Sequence, residues 1–160
     1  MSLPKLWLSF LLILSFSAYS QKNTSYFIRG FLPIAQNLQN KWGIPVSIIL
    51  GVSILESGSG SSRNAKQLNN FFGVTGKNTL KTRKSVYKQY ATAEDSFVDF
   101  CRIMSRKKFY RSMKNDPNYQ LWLISMIKAN YASAKSVWES RVQSVIQKHQ
   151  LAKYDKLQSI

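Results

Sequence analysis

One acid in this chain stands where an apolar run gives way to a Ser/Gly-rich stretch: Glu56, in ILESGSGSS at 54–62. A carboxyl at the exit of an apolar helix is partly withdrawn from water, which favours its neutral, protonated form. A carboxylic acid that keeps its proton near neutral pH can act as a general acid. Protonating the leaving oxygen of a glycosidic bond is one reaction that needs such a donor. The flexible SGSGSS would leave one side of the carboxyl open to a ligand. Position alone favours a helix-end acid that simply meets solvent, since most such acids do nothing chemical. Other reactive side chains are few. Cys101 is the only cysteine and lies among apolar neighbours in VDFCRIM, as core packing would place it. His149 is the only histidine, in IQKHQLAKYD. The two are far apart in sequence, so no metal-ligand cluster is expected, and a Cys–His nucleophilic pair has little support.

The elements around Glu56 can be read from periodicity. IPVSIILGVSILESG predicts a helix with Pro45 in its first turn and Gly58 at its stop. It is apolar nearly all round, so it should be central and buried. TSYFIRGFLPIAQNLQNKWG places Phe27, Phe31, Ile34, Ala35 and Leu38 at helical spacing, with a break or kink expected at Pro33. SSRNAKQLNN suits a short helix opened by Ser61 or Ser62. FFGVTGKNTLKTRKSVYKQY, with Gly73, Gly76 and Asn78, predicts a small β-hairpin or irregular lobe. In ATAEDSFVDFCRIM, Thr92 followed by Asp95 predicts a capping box. Two further helices are expected in YQLWLISMIKANYA and VWESRVQSVIQKHQL. The fold expected is mainly α (α+β): a helical bundle around a buried helix, with a small β-hairpin lobe.

The length of 160 residues suits one domain, and 44% hydrophobic with 13% aromatic residues is a globular composition. MSLPKLWLSFLLILSFSAYSQKN has the layout of a secretory signal peptide over residues 1–20, with cleavage before Gln21. Its apolar run is shorter than the roughly 20 residues of a membrane span, so no stable insertion is expected after cleavage. Residues 21–160 would form the domain, exported to the periplasm or outside the cell. The formal net charge of +16 falls by one with Lys5, to about +15. Such a field favours an anionic partner, although a Lys-rich soluble surface has the same signature. The aromatics sit at core-like spacing rather than interleaved with basic residues, which argues against nucleic acid.

The stretch ILESGSGSSRNAKQLNNFFGVTG resembles the signature of the glucosaminidase family of peptidoglycan hydrolases, glycoside hydrolase family 73. Leu55-Glu56-Ser57-Gly58 corresponds to the family's Leu-Glu-Ser-Gly segment. Asn69-Asn70-Phe71-Phe72-Gly73 corresponds to its Asn-Asn-x-Phe-Gly segment. YKQYATAEDSFVDFCRIMSRKKFY and NYASAKSVWESRVQSVIQKHQLAKYD resemble later blocks in the family's order, so the resemblance runs over roughly residues 26 to 155. It implies a lysozyme-like fold, no cofactor or metal, and peptidoglycan glycan strands as substrate for a domain expected to be monomeric. The implied activity is that of an endo-beta-N-acetylglucosaminidase, cleaving the bond after N-acetylglucosamine. By the same resemblance Glu56 is the general acid and Tyr131, in NYAS, a cleft tyrosine near the reacting sugar. Asn70 and Phe72 line the cleft floor as substrate-binding residues. An Asn securing a turn and a Phe in the core would explain those two positions as well.

Two departures stand out. Many relatives carry a second carboxylate in the hairpin, whereas VTGKNTLKTRKSV at 74–86 contains no acid. Beyond it, Asp95 is expected as a cap, and Glu94 and Asp99 as helix-surface charges favoured by the dipole. Without a second carboxylate, the substrate's own N-acetyl group would have to assist. The closing segment reads Tyr-Ala-Ser-Ala-Lys where relatives often have Tyr-Ala-Thr-Asp-Pro, with one extra residue before Trp138. Two alternatives remain: a lytic transglycosylase-like enzyme, disfavoured by Phe71-Phe72-Gly73-Val74 where that class usually has Gly-Leu-Met-Gln, and a non-catalytic peptidoglycan-binding module.

Overall fold

A computed structural model describes residues 5–81, 85–132 and 135–155, with side chains from residue 23 onward except that of Lys135. Residues 1–4 of the expected leader lie outside the described residues, and the rest of it is described only as the helical start of α1. Helix α1 spans Lys5–Trp42. It continues through Pro33, where a break was expected. The reason is the face on which Pro33 lies. Pro33 and Arg29, whose carbonyl loses its partner, are both exposed, so water can take that carbonyl. The opposite face buries Phe27, Ala35 and Leu38.

Helix α2, Val46–Ser57, is the buried axis of the molecule: ten of its twelve residues are buried. Its six buried branched aliphatics, Val46, Ile48, Ile49, Leu50, Val52 and Ile54, contribute on the order of 10 kcal/mol. Gly58 ends it in the left-handed conformation, with φ 56°. Around it lie α3 (Arg63–Leu68), α4 (Ala93–Ser105), α5 (Tyr110–Met113), α6 (Tyr119–Lys128), α7 (Lys135–Lys148) and a 3-10 turn at Leu151–Tyr154. Ser62 caps α3 by accepting from the Ala65 N–H, and the Thr92–Asp95 capping box opens α4 as expected. Cys101 is fully buried in the core. Burial pushes its thiol well above the usual range, so it supplies no thiolate for nucleophilic chemistry. Among the described residues no helix is long and apolar enough to cross a membrane.

Gly51 sets how closely α7 approaches α2. A Cβ built there would stand 2.8 Å from Ile146 Cγ1. Gly51→Ala gains about 1 kcal/mol of helix propensity and costs about 1–3 kcal/mol of overpacking against a branched side chain. The net expected result is a lower Tm, by a few degrees in thermal denaturation, where an exposed helical glycine would have given a higher one.

The first turn of α2 is held by side chains far apart in sequence, one on α1 and one just after the 3-10 turn. Pro45 offers no side-chain cap. Instead the Val46 N–H donates to Gln39 Oε1 at 2.8 Å, and the Ser47 N–H donates to Asp155 Oδ1 at 2.7 Å. Asp155 is 5% exposed, and its second oxygen has no hydrogen-bond partner. Burial pushes this carboxyl up to about 6, against the lowering effect of the Ser47 hydrogen bonds. Because the folded value lies above the unfolded one, the folded protein holds this proton more tightly. Stability from this group is therefore fully present below about pH 4 and is lost as pH rises through about 6. Asp155→Asn keeps an acceptor for Ser47 and cannot ionise. Its Tm should exceed that of wild type by about 5 °C at pH 7.5 and match it near pH 4, by calorimetry at both values.

The region expected as a β-hairpin is not a regular one. Among the described residues it holds a single antiparallel bridge, between Thr75 and Tyr87. Segments 74–79 and 85–90 do run side by side, joined by Gly76 N–H to Val86 O and Lys88 N–H to Val74 O, both 2.8 Å. The Gln89 N–H also donates to Lys77 O at 3.0 Å, and side-chain amides supplement these bonds. Asn78 Nδ2 donates to the carbonyls of Ser85 and Tyr87, and Gln89 Oε1 accepts from the Thr79 N–H. The tip, residues 82–84, lies outside the described residues.

Candidate active site

Glu56 sits in the last turn of α2, where the helix presents the negative end of its dipole. An acid there runs against helix electrostatics by about 0.3–1 kcal/mol, so the dipole does not explain its presence. That cost is small beside the apolar burial that fixes α2. The carboxyl opens into a cleft of about 530 Å³ lined by Phe72, Gly73, Thr75, Lys107, Tyr131 and Trp138, among others. The shielding expected for Glu56 is only partial: the residue is exposed within the cleft. One side of it is held. Trp138 Nε1 donates to Glu56 Oε1 at 2.8 Å. The other oxygen lies against backbone, since a Cβ on Gly73 would stand 3.6 Å from Oε2.

Tyr131 lines the same cleft, half-buried. Its ring lies 5.2 Å from that of Trp138 and 6.1 Å, edge-on, from that of Phe100. Burial first, then the negative charge of Glu56, then Tyr90, push its phenol upward. It therefore stays a neutral hydroxyl that can donate a hydrogen bond to a ligand.

Phe72 and Asn70 behave differently from what the resemblance implied. Phe72 borders the cleft but is 4% exposed, and Phe100 stacks on its face at 4.4 Å and 9°. No open ring face remains for a sugar, so Phe72 supports the cleft wall instead. Asn70 is 1% exposed. Its Nδ2 donates to the carbonyls of Val74 and Lys88, both at 2.8 Å, and its Oδ1 accepts from the N–H groups of Phe72 and Val74. With every polar atom engaged, Asn70 pins the lobe to the bundle and does not point at a ligand.

The remaining acids are accounted for elsewhere. Asp95 is in the capping box. Asp99 is not the surface charge expected from sequence: it is 7% exposed and takes hydrogen bonds from Lys88, Tyr90 and Arg102. Asp155 caps α2, and Asp116 Oδ1 accepts from the Asn118 N–H. Glu94 and Glu139 do not line the cleft. The residues outside the described set contain no acid, so Glu56 is the one carboxyl of the cleft. Among the described residues no cluster of His, Cys, Asp and Glu could hold a metal ion. Trp138 is the site residue that sequence reasoning missed. Its contact with Glu56 joins positions 82 apart, and the only local signal was an aromatic shortly after Tyr131.

Comparison with known proteins places this geometry in context. The glucosaminidase family, described as mannosyl-glycoprotein endo-beta-N-acetylglucosaminidase, matches residues 32–151. Exo-glucosaminidase LytG of Bacillus subtilis (strain 168) is 26% identical over 151 residues, covering 82% of this chain and 53% of its own length. The chain thus spans about half the length of the curated relative it matches. The catalytic domain of the autolysin Auto from Listeria monocytogenes has the same fold, with TM-score 0.68 and 21% identity over 83% of this chain and 88% of that one. The glycoside hydrolase domain of FlgJ from Salmonella typhimurium gives 0.64 and 18% over 79% and 97%. An N-acetylmuramoyl-L-alanine amidase from Staphylococcus aureus gives 0.70 and 23% over 84% of this chain and 44% of its own.

Proposed function

Since this chain belongs to the glucosaminidase family, we propose that it is an exported peptidoglycan hydrolase that cleaves glycan strands after N-acetylglucosamine. The observation that carries this reading is the single cleft carboxyl, Glu56, set beside the Tyr131 hydroxyl and the Trp138 N–H. Glu56 is the proton donor to the leaving oxygen. A glycan strand lying in the cleft would complete the exclusion of water that the free protein supplies only in part.

No second carboxyl shares the cleft, which supports assistance by the substrate. The N-acetyl carbonyl oxygen attacks the anomeric carbon while the C–O bond to the leaving sugar breaks, its electron pair going to the oxygen that takes the Glu56 proton. Water then opens the cyclic intermediate, with the Glu56 carboxylate accepting its proton. Tyr131, as a neutral donor, orients the N-acetyl group. Asn70 and Phe72 contribute by holding the cleft wall. The leader-like residues 1–20 support export, and the mature chain, at about +15, would dwell on anionic wall polymer.

The test is mass spectrometry of the fragments that the purified domain releases from peptidoglycan. Reducing N-acetylglucosamine ends on internal fragments are expected. Anhydro-muramyl ends would make it a transglycosylase, terminal single sugars would make the cleavage exo, and intact strands would leave a wall-binding module.

A further inference from the structure

The cleft treats the two oxygens of Glu56 unequally. Oε1 accepts a hydrogen bond from the Trp138 indole at 2.8 Å, whereas Oε2 faces Gly73, which has no side chain. An indole N–H only donates, so it stabilises an oxygen that carries no proton. Trp138 is itself held: it is 8% exposed, packs against Tyr131, and rides on α7, which Gly51 allows close to α2. We propose that Trp138 is the positioning residue of the site: it reserves Oε1 as an acceptor and so places the transferable proton on Oε2, at the Gly73 side of the cleft.

This inference rests on the glycosidase reading, and it adds a direction to the proton transfer. The Oε2–H bond breaks, its electron pair stays on Glu56, and the proton passes to the leaving oxygen. The resulting carboxylate already has the Trp138 donor in place, so charge develops against a fixed dipole with no rearrangement. Among the described residues, the charged or titratable groups that line the cleft with Glu56 are Lys107 and Tyr131. α2 brings no other, and α4 contributes only the apolar Ile103.

Trp138→Phe keeps an aromatic ring beside Tyr131 and removes the N–H. A hydrogen bond to a charged group of about 1.5–3 kcal/mol corresponds to a fall in kcat of roughly 10- to 100-fold. KM should stay within about threefold, and the alkaline limb of the pH–rate profile should move to higher pH, because the carboxylate has lost a donor. A packing role alone would lower the Tm and leave that limb in place. Nuclear magnetic resonance tests the contact without relying on turnover. The indole N–H resonance absent from Trp138→Phe should move as pH is varied in wild type, and not in Glu56→Gln. A Trp138→Phe enzyme with kcat within about twofold of wild type overturns the inference. So does an indole resonance that titrates identically in Glu56→Gln. A wild type that releases no saccharide removes the glycosidase reading and the catalytic half of this inference with it, while the indole titration still decides the contact.

Discussion

Glu56→Gln is expected to lower the rate of saccharide release from peptidoglycan by roughly 10²–10⁴-fold, the contribution of a positioned general acid, with the fold intact. The side chain is exposed in the cleft, so an amide of the same shape meets no new burial cost. Its carbonyl oxygen can keep the 2.8 Å bond from Trp138. The transferable proton is what changes, and no other acid lines the cleft to supply one. The measurement is the initial rate of new reducing ends, alongside Tm. Unchanged release would sink the assignment of Glu56, and a large fall in Tm would mean that the carboxyl supports the fold instead.

The second large effect falls on stability, at Asp99. Its carboxylate takes hydrogen bonds from Lys88 Nζ at 2.7 Å, the Tyr90 hydroxyl at 2.8 Å and Arg102 Nη1 at 3.1 Å. Burial alone would push this carboxyl up. Hydrogen bonds from Lys88 and Tyr90, helped by the charges of Lys88 and Arg102, outweigh it and hold the group below its usual range. The folded value is thus depressed, so this stability is present above the unfolded value near 3.9 and is lost as pH falls through the folded one. Breaking a buried pair costs about 3–5 kcal/mol, but the Lys88 and Arg102 side chains are 39% and 48% exposed and partly screened. Asp99→Asn should therefore cost about 2–3 kcal/mol at pH 7 in urea denaturation, with the difference shrinking at low pH. A constant difference across pH would remove the ionic explanation. The loss should also reach the cleft, because the Lys88 N–H donates to Val74 O and Val74 and Thr75 form part of the cleft wall.

These two acids show what the sequence could and could not reveal. The place of Glu56 at the end of a buried helix was legible because an apolar helix and its glycine stop are local patterns, and the Thr92–Asp95 box was legible for the same reason. Asp99 was not: its place near a helix N-terminus suggested a surface charge, and its partners Lys88 and Tyr90 come from another segment. Asn70 shows the limit of a motif. The motif marked the position, but a buried amide with four internal hydrogen bonds serves the lobe rather than a sugar. The glycines and Asn78 left a small hairpin and an irregular lobe both open, and residue types alone could not foresee that Asn70, Asn78 and Gln89 side chains would take backbone partners. Of the break or kink expected at Pro33, the break is absent, because water on the exposed face can replace the lost helical bond.

The grip of Gln39 and Asp155 on the first turn of α2 reaches beyond that turn. Those two residues lie 116 positions apart, yet together they moor one end of a rod whose other end bears Glu56. At about 1.5 Å per residue the rod is roughly 18 Å long and apolar on nearly every side, so its flanks resist tilting far better than sliding along its own length. The mooring is what opposes that axial drift. The depth of the Glu56 carboxyl in the cleft is thus set in part from the far end of α2, by Gln39 and Asp155.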